Sequence, residues 1–331
     1  MHPELSAAAR LGVFTSQEAL RAGYDVEDIR SELRSRRWSR LRKGVYIATD
    51  ELATATDRDR HLIDCVAVLL GLADRPVLSH ASAARLHELI VPRSASDEVR
   101  LTTTGQWRRG RRYRVAQAAL VAGETTPWLE FAATSVARTL VDCAREWSVT
   151  DAVVAMDSAI NERKVTRAEL LEAVLGGRHR VGIAKAARAL GLADGRAESA
   201  LETRGRLAIL AAGLPRPELQ VEIHDDGGRF LGRVDAWYED AAVAIEFDGL
   251  VKYTDPRYAS SAGQVLWLEK RREDAMRARG IRFVRIGNAD LGPPWTETAG
   301  QIGALLAAPF IGLRRFRAVR TDEPDGASDV A

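Results

Sequence analysis

The stretch Ala244–Tyr253, AIEFDGLVKY, reads as a β-strand running into a turn, with Glu246 and Asp248 set in an otherwise apolar run. Burying a carboxylate there costs several kcal/mol unless a cation or a hydrogen-bonded partner compensates it. Just upstream, RFLGRVDAWY (229–238) is a second strand candidate, and Glu239-Asp240-Ala241 supplies the turn between them. A turn centred between Asp240 and Ala241 sets Asp235 opposite Glu246, Trp237 opposite Ala244 and Arg233 opposite Asp248. Cross-strand Cβ atoms lie only about 4.5–5.5 Å apart. Val234, Ala236, Tyr238, Val243, Ile245 and Phe247 share the other face, which is predicted to meet the core. Asp235, Glu246 and Asp248 are then gathered on one polar face. Opposed carboxylates repel, and a hard divalent cation turns that liability into a binding site. The competing reading pairs Arg233 with Asp248 and leaves the other acids in solvent.

Working outward, RAESALETRGRLAILAAG (196–213) has helical spacing and is closed by Gly213, with Pro215 and Pro217 beyond it. Strand candidates follow at 218–224, 229–238 and 242–248. A long helix, GQVLWLEKRREDAMRAR (263–279), stops at Gly280, and IRFVRI (281–286) is a further strand. The order is αβββαβ. With the acid late in the second strand and Glu-x-Asp late in the third, this segment resembles the PD-(D/E)XK nuclease superfamily. The phrases RAESALET, GRVDAWY, AIEFDG and KRREDAMRARGIRFVRI are similar to its subgroup related to very-short-patch-repair endonucleases. The resemblance implies a catalytic set of Glu202, Asp235, Glu246, Asp248 and Lys252, with Asp235 and Glu246 holding Mg²⁺ or Mn²⁺. It also carries a departure: Asp248 stands where the superfamily pattern asks for Lys, and Lys252 follows shortly after. Arg271 and Arg272 on the next helix are candidates for the DNA backbone, or for pairing with Glu269 and Glu273 along the helix surface.

Near the other end, Thr15-Ser-Gln-Glu18 is a capping-box pattern, Gly23 closes the helix it opens, and Asp25 caps VEDIRSELRSRRW. SRLRKGVYIA then turns at Lys43-Gly44. With a further helix expected before residue 15, residues 1–50 follow the order of a winged helix-turn-helix. Residues 30–43 carry seven Lys/Arg against Glu32 alone. A solvated face is the ordinary fate of such a run. Trp38 and Tyr46 beside it favour a nucleic-acid surface, with Arg30, Arg34 and Arg37 on the helix side and Arg40, Arg42 and Lys43 at the wing. The segment is similar to the N-terminal domain of AbiEi-family antitoxins. VLSHASAARLHEL and ATSVARTLVDCAR resemble the helical region that follows it in such proteins, which would imply a toxin partner.

Residues 51–195 read as mainly helical with a small β insert. His61, His80, His87 and His179 there are expected to be structural, and GQWRRGRRYR (105–114) adds a second basic segment of five arginines. The polar tail from 313 to 331 is expected to be disordered. Net charge is +2, with 46% apolar and 28% charged residues. No transmembrane span or signal peptide is apparent, and Cys65 and Cys143 in apolar helical contexts point to the reducing cytoplasm. The expectation is an α+β multidomain, cytoplasmic DNA-binding protein whose residues 196–312 form a Mg²⁺-dependent endonuclease. The alternative is a non-catalytic antitoxin-type transcriptional regulator with a degenerate nuclease fold.

Overall fold

The computed structural model describes residues 10–248 and 262–320, the stretch 262–269 in backbone only. Lys252 and the first expected helix therefore lie outside the described residues. The protein is mixed α+β, with three sheets among the described residues. No helix among them is long and apolar enough to cross a membrane. Two compact units are distinguished, Met1–Ala155 with Ala168–Arg188, and Met156–Arg167 with Ala189–Ala331.

The first unit begins with β1 (Phe14–Thr15), α1 (Ser16–Arg21), α2 (Val26–Arg34), β2 (Trp38–Arg42) and β3 (Val45–Ala48). The strands form a sheet of order β1-β3-β2. Thr15 with Glu18, and Asp25 with Asp28, close reciprocal capping boxes that satisfy the first amides of α1 and α2. Phe14, Ala19, Ile29, Trp38 and Tyr46 form the core, with the Phe14 and Trp38 rings edge to face at 4.7 Å. The boundary expected after residue 50 does not separate two units. Val13, Val45 and Ile47 share one apolar cluster with Ile63, Val66 and Ala67, so the inner face of the hairpin is covered by the helix Asp57–Leu69.

The unit continues through α3 (Thr49–Thr54), α4 (Asp57–Leu69), β4 (Val77–Leu78), α5 (His80–Leu86), β5 (Val99–Thr103), β6 (Arg108–Gly110), β7 (Tyr113–Gln117), β8 (Thr125–Trp128), β9 (Phe131–Thr134) and α6 (Val136–Glu146). The expected small insert is a six-stranded sheet of order β6-β7-β5-β4-β9-β8. β4 is only two residues long, too short for period-two alternation to reveal it. α7 (Val149–Asn161), α8 (Arg167–Gly176) and α9 (Ile183–Leu192) follow.

The second unit contains α10 (Ala200–Ala211), β10 (Glu218–Asp225), β11 (Phe230–Tyr238), β12 (Val243–Phe247), α11 (Ala262–Arg277), β13 (Arg282–Ile286), α12 (Trp295–Ala307) and β14 (Phe316–Arg320). Its sheet has the order β13-β12-β11-β10-β14, antiparallel except for β12 and β13, which the α11 crossover leaves parallel. The β11–β12 register is the expected one, pairing Ala236 with Ile245, Trp237 with Ala244 and Tyr238 with Val243. Two expectations change. Val234 is not on the face of Ala236 and Tyr238 but in the opposite cluster with Val221, Ile223 and Trp237. The face switches where Gln220, with φ 51°, interrupts the β10 alternation opposite Asp235. The stretch from 313 also holds a strand, because β14 pairs with β10 from Val221↔Arg320 to Asp225↔Phe316 and Phe316 is buried.

Residues 156–167 belong to this unit through Asp157. Its carboxylate accepts from the Asp194 amide at 2.7 Å, the Thr203 hydroxyl at 2.9 Å and Arg206 Nη2 at 2.8 Å, all buried. Thr203 and Arg206 are one turn apart on α10, so the bond set fixes the rotation of that helix.

The histidines are structural in both buried cases. His61 Nε2 meets Ser82 Oγ at 2.8 Å and His80 Nδ1 meets Ser79 Oγ at 2.9 Å. Burial pushes each down from 6.5 to about 4. Between those values the unfolded chain binds protons that the folded chain refuses, so stability falls as pH drops through 6.5 towards 4. In urea melts across that window, His61→Gln with His80→Gln is expected to flatten the loss of stability. An unchanged slope would contradict it.

Candidate functional site

Glu202 is placed by its helix and by a missing side chain. α10 is capped by Ser199, whose hydroxyl accepts from the Glu202 amide at 3.2 Å. Three residues on, a Cβ at Gly205 would sit 2.0 Å from the Phe247 ring. Only glycine lets the helix approach β12 this closely, and residues three apart share a helix face. Glu202 is consequently only 7% exposed. Its Oε2 accepts from the Glu198 amide at 2.8 Å and from Gln220 Nε2 at 2.9 Å, both neutral donors. Burial raises its pKa, and the Asp235 charge raises it further.

Asp235 lies on β11 across from Gln220. Its Oδ2 accepts from the Phe247 amide at 2.8 Å, a side-chain bond just beyond the last β11–β12 ladder pair. Glu246 stands beside Arg285 in the β12–β13 pair, and the Asp248 amide donates to Ile286 O at 3.0 Å. Arg233 is not the partner of Asp248: its Nη2 meets the Glu198 carboxylate at 2.8 Å. Sequence reasoning missed Gln220 and Gly205. An isolated glycine inside a helical pattern was a usable signal for the second, whereas nothing in the residue type marks Gln220 for positive φ.

The contrast with the other acids is chemical. Asp157 is bound by Arg206, Asp194 by Arg196 and Arg216, Asp142 by Arg138 and Arg145, and Glu146 by Arg100. Glu273 on α11 is bound by Arg277 and Arg285. Glu202 instead sits near a second carboxylate and is held by amides. Hard oxygen donors of this kind suit Mg²⁺ or Mn²⁺, which uses one or two carboxylates and completes its shell with water and phosphate. Among the described residues no group of three or more His, Cys, Asp or Glu gathers around one point. Glu202, Asp235, Glu246 and Asp248 are therefore not gathered into one closed protein cage.

The basic residues of the first unit divide into two kinds. Arg30 and Arg34 both reach Glu27, at 3.3 and 2.5 Å, but stay exposed. Arg37 turns back in a two-point contact with Glu32 at 2.7 and 2.6 Å. Arg40 and Lys43 are exposed on the β2–β3 hairpin. Arg42 is half-buried, and its two terminal nitrogens each donate to Arg111 O at 3.2 Å. Trp38 and Tyr46 are 5% and 7% exposed, which makes them core residues and removes them as base-stacking platforms.

No protein-family profile matches the chain. Two proteins of Mycobacterium tuberculosis, described only as uncharacterized and coming from two strains, are each 40% identical to it over 124 residues. That alignment covers 38% of this chain and 45% of each relative, so the chain spans less than half their length.

Because burial and Asp235 both oppose ionisation of Glu202, the folded state binds more protons than the unfolded above the ordinary value of 4.5. Stability then falls as pH rises through that range. Glu202→Gln keeps an acceptor oxygen and removes the charge. It is expected to raise stability at neutral pH by about 0.5–2 kcal/mol in urea melts; a loss would contradict the repulsion. Gly205→Ala is expected to cost about 1–3 kcal/mol by overpacking against Phe247.

Proposed function

We propose that residues 200–286 form a PD-(D/E)XK-type, metal-dependent endonuclease core and that residues 14–48 form a DNA-binding winged helix. The observation that carries the reading is the buried Glu202 carboxylate, held by neutral donors and facing the charge of Asp235, where the other buried acids among the described residues are bound by arginines. An acid pair kept at a cost to stability is what a cation site requires and what a purely structural helix cap does not. The αβββαβ order of α10 to β13 and the β11–β12 register, which ends one residue short of Asp235 and Glu246, support the same reading.

In this reading Asp235 and Glu246 hold Mg²⁺ or Mn²⁺, and Glu202 completes the negative environment from α10. The bound cation would supply Lewis-acid stabilisation of phosphate charge and a lowered pKa for its water. The Phe247 amide, by donating to Asp235 Oδ2, orients that carboxylate. Gly205 sets the approach of Glu202. Arg30, Arg34, Arg40 and Lys43 offer charge to the DNA backbone, while Arg42 acts on the position of the wing. A regulator of the antitoxin type, bound to a toxin, remains the second reading. It is favoured by Asp248 at the position of the superfamily lysine.

Supercoiled plasmid and short duplexes with Mg²⁺ or Mn²⁺ separate the two. Metal-dependent cutting is expected, falling at least about 100-fold for Asp235→Ala and for Glu246→Ala. Absence of cutting in every metal, or cutting that survives both changes, would favour the regulator.

A further inference from the structure

The basic segment 105–114 has no place in the reading above, yet it meets the wing. β6 and β7 are joined by a two-residue turn, Arg111-Arg112, between the paired Gly110 and Tyr113. A Cβ at Gly110 would lie 2.1 Å from the Tyr113 ring, so only glycine lets that ring cross the strand pair. The Arg42 guanidinium lies 5.7 Å from the centre of the same ring and donates through both terminal nitrogens to Arg111 O. Arg42 thereby fastens the wing hairpin β2–β3 to the tip of β6–β7.

The fastening brings like charges together. Burial pushes the Arg42 pKa down, and the charges of Arg112 and Arg111 push it the same way, against Asp64. Asp64 Oδ2 is 3.7 Å from Arg112 Nη2, a loose contact, and the Arg112 side chain is 66% exposed. Two other arginines of the segment are answered by acids: Arg108 by Asp74, and Arg109 by Glu98 at 2.6 Å. Positive charge is therefore in excess at the turn itself. Turn chemistry does not demand it. Arg112 has φ 60°, a conformation that favours glycine or asparagine and strains an arginine.

We infer that the Arg111-Arg112 turn and the wing residues Arg40 and Lys43 form one continuous seat for the phosphate backbone of duplex DNA, with Arg42 as the positioning residue that locks the two hairpins together. This extends the DNA-binding reading of residues 14–48 and rests on it. Exposed Trp107, 58% accessible and just before β6, lies on the same segment.

The test is duplex binding by the full chain across a salt titration, comparing Arg111→Gln/Arg112→Gln with Arg40→Gln/Lys43→Gln. Each phosphate contact contributes about 0.9 to the slope of log affinity against log salt, so each double variant is expected to reduce the slope by about 2. A thermal melt unchanged from wild type shows that the turn is intact. If the Arg40/Lys43 pair lowers the slope and the Arg111/Arg112 pair leaves it unaltered, the composite seat is overturned while the DNA-binding module stands. If the wild type shows no salt-dependent duplex binding, both fall together. Arg42→Gln separates position from charge: weaker binding with a smaller slope change than either double variant is expected, and an unchanged affinity would remove its positioning role.

Discussion

The second unit depends on how closely α10 can lie against β12. Gly205 permits the contact with Phe247, and Asp157 fixes the rotation of the helix by gripping Thr203 and Arg206 from one side. With the helix at that distance and rotation, Glu202 has no choice but to enter the sheet near Asp235. The pair is a consequence of backbone approach, and the unfavourable charge proximity follows from it. Replacing any one of these restraints would let the helix withdraw and the carboxylate return to water.

The register of β11 and β12 was legible because the turn Glu239–Ala242 is short and one strand face is apolar. A one-residue slip would bury Glu246 and expose Phe247, so hydrophobic patterning alone determines the pairing. The switch of faces at Gln220 was not legible. Alternation predicts Val234 beside Ala236, and only a left-handed residue across the ladder reverses it. The capping boxes at Thr15 and Asp25 were equally readable, since each is a local hydrogen-bond pattern written in four residues.

What remained hidden was chiefly long-range. Arg233 finds Glu198 across 35 residues, Arg42 finds Arg111 across 69, and Arg138 finds Glu124 across 14. A charge run in sequence carries no information on such partners. Trp38 and Tyr46 likewise look like surface aromatics when read beside seven cations, yet the first core forms around them and Phe14. The distinction between Arg42 and its neighbours is therefore one of burial: one arginine organises the hairpins, and the exposed ones carry the field. Strand β14 escaped notice because its five residues, FRAVR, mix arginines with apolar side chains without clean alternation, at a sheet edge beside a polar tail.

The most direct measurement of the central claim is calorimetric titration of the 331-residue chain with Mn²⁺ in the absence of DNA, beside Asp235→Asn. That substitution keeps an acceptor for the Phe247 amide and removes one negative charge. A single saturable uptake in the wild type that disappears in Asp235→Asn, with both proteins melting alike, is the result the account predicts. No uptake by the wild type, or equal uptake by both, would contradict it.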